Sequence, residues 1–112
     1  YAVLCSENKE IIMKMTKEYQ EAMRKKAELL KAIAHPVRLC LTRKLYENGK
    51  CNVTYFTDCL ETSQSNISQH LAKMRDLGVV DCEKEGQTVY YFIKDDSIKH
   101  IMSVLFDEKK ER

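Results

Sequence analysis

The sequence predicts a mainly α-helical fold with a small β-hairpin. Long segments carry apolar residues at helical spacing, and two β-prone segments near the carboxyl end flank a turn that contains glycine. At 112 residues, with 44% hydrophobic and 32% charged residues, the chain has the size and composition of one domain with a single modest core. We therefore expect residues 1–112 to form one domain of four helices, two strands and a final helix.

The first predicted helix spans residues 7–34. Its apolar stripe consists of Ile12, Met15, Tyr19, Met23, Leu30 and Ile33. So long a stripe has no comparable partner in a small domain, and we expect this helix to pack on a second subunit as a dimerisation helix. The alternative is a helix that is buried within its own chain.

The second and third predicted helices are short. Pro36 suits the first turn of the second helix, which ends at residues 48–49. The side chains expected to face inward from that helix are those of Leu39, Leu41 and Leu45. The third helix is expected over residues 53–60.

The fourth predicted helix carries the most informative pattern of the chain. Ser63 is expected to cap it, and inward positions at helical spacing fall to Ile67, Leu71 and Met74. The opposite face is short, uncharged and rich in hydrogen-bonding groups, which suits base edges in a DNA major groove. Two short helices joined by a tight turn, the second with such a face, indicate a helix-turn-helix.

A β-hairpin and a last helix complete the predicted fold. Residues 79–83 and 88–93 are β-prone, and residues 84–87 are expected to form the turn, with Gly86 at positive φ. A hairpin placed after a recognition helix is a wing. The last helix, over residues 95–108, is expected to be a second dimerisation helix capped by Asp95, Asp96 or Ser97. Its apolar stripe consists of Ile98, Ile101, Met102 and Leu105.

Three blocks of the chain together resemble the ArsR/SmtB family of winged helix-turn-helix repressors. They are residues 30–39 (LKAIAHPVRL), 63–71 (SQSNISQHL) and 86–91 (GQTVYY). The resemblance covers about residues 30–93 and implies a homodimer that sits on operator DNA and leaves it when an inducer binds. It implies no catalytic activity and no cofactor for DNA binding. His35 stands where the family more often has Asp, Asn or Ser as a cap.

The expected DNA contacts are of two kinds. Direct base contacts are expected from Gln64, Ser65, Ser68 and Gln69, because Gln pairs bidentately with adenine and Ser adapts to any base edge. Phosphate contacts are expected from Asn66, His70 and Lys73 beside that face. Lys84 and Gln87 at the hairpin tip are expected to reach the DNA backbone or the minor groove. The alternatives are solvated charges at Lys73 and Lys84 and a partly buried histidine, bonded to backbone, at His70.

The inducer site is less well defined. Metal sensors of the family often carry a Cys-x-Cys pair at the start of the third helix, where this chain has Asn52 and Thr54. A second family site on the last helix corresponds here to Asp95, Ser97, Glu108 and Glu111, which make a poor zinc site without an imidazole.

Thiol chemistry remains as the expected basis of sensing. Five cysteines without secretory features indicate reduced thiols and a cytoplasmic protein. Cys5 and Cys51, with Cys59 as a third sulfur, would suit a thiophilic metal or metalloid ion as inducer. A disulfide or persulfide switch is the alternative use of Cys5 and Cys51. Core packing is the expected role of Cys59 itself, and Cys40 and Cys82 also look structural.

Other function classes fit the sequence poorly. No nucleophile, base and orienting residue fall together, and there is no glycine-rich phosphate loop, so we expect no enzyme. No apolar run reaches the length of a membrane span, so no membrane partner is expected. A winged-helix module that binds protein or RNA is a further alternative, although a protein-binding face would favour apolar anchors. The net charge of +2 does not decide among them.

Overall fold

The computed structural model describes residues 16–108, which form five helices and three strands. In chain order these are α1 (Lys17–Ile33), α2 (Pro36–Asn48), β1 (Lys50–Cys51), α3 (Val53–Cys59), α4 (Gln64–Asp76), β2 (Val80–Glu85), β3 (Thr88–Ile93) and α5 (Asp96–Phe106). The predicted class, mainly α-helical with a small hairpin, is confirmed. The two-residue strand β1 was not predicted, because a segment so short has no periodicity to read. It pairs antiparallel with β3, which gives the sheet order β1-β3-β2.

Helix α1 begins later than the sequence pattern suggested. The Thr16 hydroxyl accepts a hydrogen bond from the backbone N–H of Tyr19 at 3.1 Å, which is N-cap geometry. A single helix over residues 7–34 is therefore wrong at Thr16, where a side chain takes the place of a backbone acceptor. Residues 7–15 of that prediction lie outside the described residues.

One apolar core joins all the helices to the sheet. Its fully buried side chains include Leu41, Leu45, Phe56, Ile67, Leu71, Met74, Val80, Ile98 and Met102. The three predicted inward residues of α4 are among them, and Leu39 of α2 packs against the core while partly buried. Because α4 buries its three apolar residues completely, its rotation about its own axis is set by core packing.

The apolar stripes of α1 and α5 are divided between the core and solvent. At the end of α1, Ile33 is buried, whereas Tyr19, Met23 and Leu30 are exposed. On α5, Ile98 and Met102 are buried and Ile101 packs partly against the core, but Leu105 and its neighbour Val104 are exposed. Burial within the chain therefore accounts for only part of each stripe.

The hairpin turn is tighter than predicted. Strand β2 continues to Glu85, which pairs with Thr88, so only Gly86 and Gln87 connect the strands. Gly86 has φ +64°, as predicted, and a glycine at the first of two turn positions matches a type II′ turn. Lys84 consequently lies in β2 opposite Val89 and not in the turn.

Candidate nucleic-acid interface

Helix α4 starts with the cap that the sequence predicted. The Ser63 hydroxyl accepts a hydrogen bond from the backbone N–H of Asn66 at 3.1 Å. The side-chain amide of Asn66 donates to the Thr62 hydroxyl at 2.8 Å. Asn66 is thus held against the turn before α4, at the edge of the outward face.

The outward face of α4 is polar and uncharged along its first two turns. Gln64, Ser65 and Gln69 are exposed, and Ser68 is half-buried. The opposite side of the same turns is anchored by buried Ile67 and Leu71. These polar groups therefore stand on a rigid support, and they match the donor and acceptor groups that a major groove presents.

His70 contacts a second histidine beside this face. Its ring centroid lies 5.0 Å from that of His35, with an angle of 44° between the rings. Burial, followed by the nearby His35 and Arg38, lowers the pKa of His70 below its usual 6.5. At neutral pH His70 is therefore uncharged. This position matches the alternative of a partly buried histidine, although its contact is the ring of His35 and not the backbone bond that was expected.

His35 is the N-cap of helix α2. Its Nδ1 accepts a hydrogen bond from the backbone N–H of Val37 at 3.1 Å. An imidazole nitrogen thus does here what a carboxylate, amide or hydroxyl oxygen does at most helix starts. The sequence assigned it no role, although its place before Pro36, the first residue of α2, was a usable signal.

A cavity of about 230 Å³ opens where α1, α2 and α4 meet. Its lining residues are Glu28, Lys31, Arg38, Lys73 and Leu77. The Nε of Arg38 is buried and has no hydrogen-bond partner among the described residues. Of this group only Lys73 was predicted as a phosphate contact. Lys31 and Arg38 were missed because they belong to other helices.

The wing, which is the β2–β3 hairpin, presents its charges on two sides. Lys84 and Gln87 are exposed at or near the tip. Glu83 and Glu85 alternate with Lys84 along β2 and so point to the opposite face. Lys50 of β1 forms ion pairs with both carboxylates, and its hydrogen bond lowers the pKa of Glu85. The acidic side of the wing is therefore neutralised from β1.

The cysteines differ in their surroundings. Cys51 is buried, and this burial, followed by the nearby Cys59, raises its pKa to about 11. It is therefore a thiol at neutral pH. Cys59 is exposed, so the expectation that it packs in the core is wrong; it is the last residue of α3, beyond buried Phe56. Cys40 and Cys82 are half-buried.

Metal-binding groups are scarce in the part of the chain that the structure describes. Residues 16–108 contain no group of three or more His, Cys, Asp or Glu side chains placed to hold a metal ion. Asp95, one of the positions compared with a family metal site, caps α5 by accepting from the Ile98 N–H at 3.1 Å. Cys5 and Glu111 lie outside the described residues. Within residues 16–108 no helix is long and apolar enough to cross a membrane.

Comparison with known proteins places these features among transcriptional regulators. The family described as "Bacterial regulatory protein, arsR family" matches residues 35–81. The transcriptional repressor PagR of Bacillus anthracis is 40% identical over 79 residues, which are 70% of this chain and 79% of PagR. The transcriptional activator HlyU of Vibrio cholerae is 38% identical over 88 residues, which are 79% of this chain and 81% of HlyU.

Two further matches complete the comparison. A homologue of the cadmium resistance transcriptional regulatory protein CadC from Staphylococcus aureus is 28% identical over 85 residues, covering 76% of this chain and 70% of that protein. The crystal structure of PagR superposes with a TM-score of 0.72 at 37% identity, covering 77% of this chain and 98% of PagR. The likeness therefore extends across the helix-turn-helix and the wing.

Proposed function

The chain belongs to the arsR family of bacterial regulatory proteins, and on that premise we propose that it is a homodimeric repressor that leaves its operator when an inducer binds. Membership makes it a DNA-binding transcriptional regulator and not an enzyme. Its relatives include a repressor and an activator, so repression is the part of the proposal that needs a direct test. Such a regulator would act in the cytoplasm on double-stranded DNA.

The observation that carries the proposal is the rigid polar face of α4. Gln64, Ser65, Ser68 and Gln69 are the proposed base-reading residues, since they are uncharged and supported by buried apolar residues. Asn66, His70, Lys73, Lys84 and Gln87 are the proposed flanking contacts, which position the protein without reading sequence. A good bidentate contact discriminates against a wrong base by about 1–3 kcal/mol, or roughly 5-fold to 150-fold.

The test starts from a DNA duplex that the wild-type protein selects from a randomised pool. Ser65→Ala and Gln69→Ala together should reduce the preference for this duplex over a scrambled one by at least about tenfold. Ser97→Ala, a change at an exposed serine on α5, should leave it unchanged. An unaltered preference in the α4 variant would exclude α4 as the reading helix. A transcription assay from a promoter that contains the selected duplex then separates repression from activation.

The dimer is proposed from the apolar residues that the chain leaves exposed on α1 and α5. Tyr19, Leu30, Val104 and Leu105 are each at least 50% exposed. A second copy of the chain would cover them and would present two α4 helices to successive major grooves. The expected dimerisation segments, residues 7–34 and 95–108, contain all four of these side chains.

For the inducer we propose thiol chemistry centred on Cys51, with Cys59 and Cys5 as further candidates. Cys51 and Cys59 are close enough for Cys59 to raise the Cys51 pKa. A thiophilic metal ion displaces the thiol proton on binding, so a buried thiol does not prevent such a site. The resemblance to a regulator named for cadmium resistance supports a metal inducer. Because residues 16–108 hold no ready metal cluster, the site would need Cys5 or a partner subunit.

The alternative is a redox or persulfide response of the same thiols. Titration of the reduced protein on its selected duplex with arsenite, cadmium, zinc, peroxide and persulfide separates the two. Release by ions alone supports metal sensing, and release by peroxide or persulfide alone supports the alternative. A coupling free energy of about 1–3 kcal/mol would suffice for regulation.

A further inference from the structure

We propose that Lys31, Arg38 and Lys73 form an oxyanion-binding cradle that holds one phosphodiester of the DNA backbone. The proposal rests on the proposed function and extends its DNA contacts to α1 and α2. The three side chains line one cavity of about 230 Å³ at the junction of α1, α2 and α4. They approach it from three different helices, so the arrangement exists only in the folded domain.

The charge of the cradle is uncompensated. Many cations of the domain have an acidic partner: Arg75 pairs with Asp81 at 3.2 Å, and Arg43 pairs with Glu47 at 3.0 Å. Within residues 16–108, Lys31, Arg38 and Lys73 have no carboxylate within ion-pairing distance. Three cations that converge without an acid repel one another, and an anion between them relieves this repulsion.

Arg38 gives the cradle a specific unmet hydrogen bond. Its Nε is removed from solvent and has no acceptor among the described residues. A buried N–H without an acceptor is destabilising by about 1–3 kcal/mol. A phosphate oxygen in the cavity would supply an acceptor, and guanidinium geometry suits oxyanions.

Glu28 is the one carboxylate that also lines the cavity. Its Oε2 lies 2.8 Å from Nη1 of Arg24, so its charge is already paired on α1. The local balance therefore remains positive, and the carboxylate does not take the place of the anion.

The position of the cradle favours a DNA phosphate over a free anion. Lys73 is one helical turn beyond Gln69 on α4, and Arg38 is close enough to His70 to lower its pKa. A helix in the major groove has a row of phosphates along each side. An anion held one turn from the base-reading residues falls on such a row, which places α1 and α2 over the backbone.

The decisive experiment measures affinity for the selected duplex as a function of salt, from about 50 to about 200 mM. Lys31→Gln removes one exposed cation of the cradle, and Lys25→Gln removes an exposed cation of the same helix outside it. Each lost phosphate contact lowers the slope of log K against log salt by about 0.9, with a loss of affinity of about threefold to tenfold. We expect this change for Lys31→Gln and for Arg38→Gln, full recovery with Lys31→Arg, and a wild-type slope for Lys25→Gln.

A wild-type slope for Lys31→Gln, or equal losses in Lys31→Gln and Lys25→Gln, would overturn the cradle. Inorganic phosphate without DNA tests the other source of the anion, by thermal unfolding against chloride at equal ionic strength. Stabilisation of the wild type but not of Lys31→Gln, together with release of DNA by phosphate, would make the cradle an effector site and overturn the phosphodiester assignment. Failure of the proposed function is separate, since the wild-type protein would then select no duplex.

Discussion

The contact between His35 and His70 should make the stability of the domain depend on pH where histidine titrates. The pKa of His70 is lowered in the folded protein, so the unfolded chain binds more protons between that pKa and 6.5. The contribution of His70 is therefore fully present above about pH 6.5 and is lost as the pH falls through the lowered folded value. At His35, a proton on Nδ1 would remove the acceptor that caps α2. Acid thus weakens both sides of the contact.

The size of the effect follows from the geometry. Two imidazolium charges at the ring separation of 5.0 Å repel by about 3 kcal/mol at an effective dielectric constant near 20, and by about 1 kcal/mol in bulk water. Loss of an N-cap destabilises by about 1 kcal/mol. Because both rings are half-buried, we expect the free energy of unfolding to fall by about 2–3 kcal/mol when both are protonated.

Urea unfolding at about pH 7.5 and about pH 5.5 measures this loss, since carboxylates titrate mainly below that window. The chain has three histidines, and the third, His100, is exposed on α5. His100→Gln should behave as the wild type. His35→Asn keeps a capping side chain without a titrating group and should lose most of the pH dependence. Wild-type pH dependence in His35→Asn would refute the assignment of the effect to this contact.

Three further changes test the helix start, the dimer and the sensor. Ser63→Ala should destabilise the domain by about 1 kcal/mol, lowering Tm by about 4–8 °C, whereas Ser63→Asp should keep the cap and lose operator affinity by repelling phosphate; calorimetry and DNA titration check both, and an unchanged Tm in Ser63→Ala would contradict the cap's contribution. Leu30→Glu with Leu105→Glu should shift the protein to monomer in sedimentation, while Lys99→Glu should not; a persistent dimer would place the interface elsewhere. Cys51→Ser should bind the duplex normally but ignore the inducer, and a normal response would exclude Cys51.

Most of the fold was predictable because its signals are local. Ile67, Leu71 and Met74 repeat at helical spacing, and Gly86 marks the turn of the wing. Thr16 was missed as a helix start because an apolar stripe continues across it, and a stripe does not reveal where a hydroxyl replaces a backbone acceptor. Strand β1 was missed because its two residues become a strand only through pairing with β3.

The site was predictable where it lies on one helix. The polar face of α4 is a property of consecutive turns, so its residues could be listed from the sequence. The cradle combines Lys31, Arg38 and Lys73 from three helices, and nothing in their spacing brings them together. The same holds for the ring contact of His35 with His70, which needs α2 and α4 to pack.

Strand β1 has a mechanical consequence for signalling. Cys51 is buried in β1 and pairs with Tyr91 of β3, while its neighbour Lys50 holds the acidic side of the wing. Close packing leaves no room for a group added to the Cys51 sulfur, so such an adduct has to push β1 away from β3. The pairing that fails first would be the one that joins the wing to the end of α2. A chemical change at one sulfur would then reach the DNA through the sheet, without passing through α4.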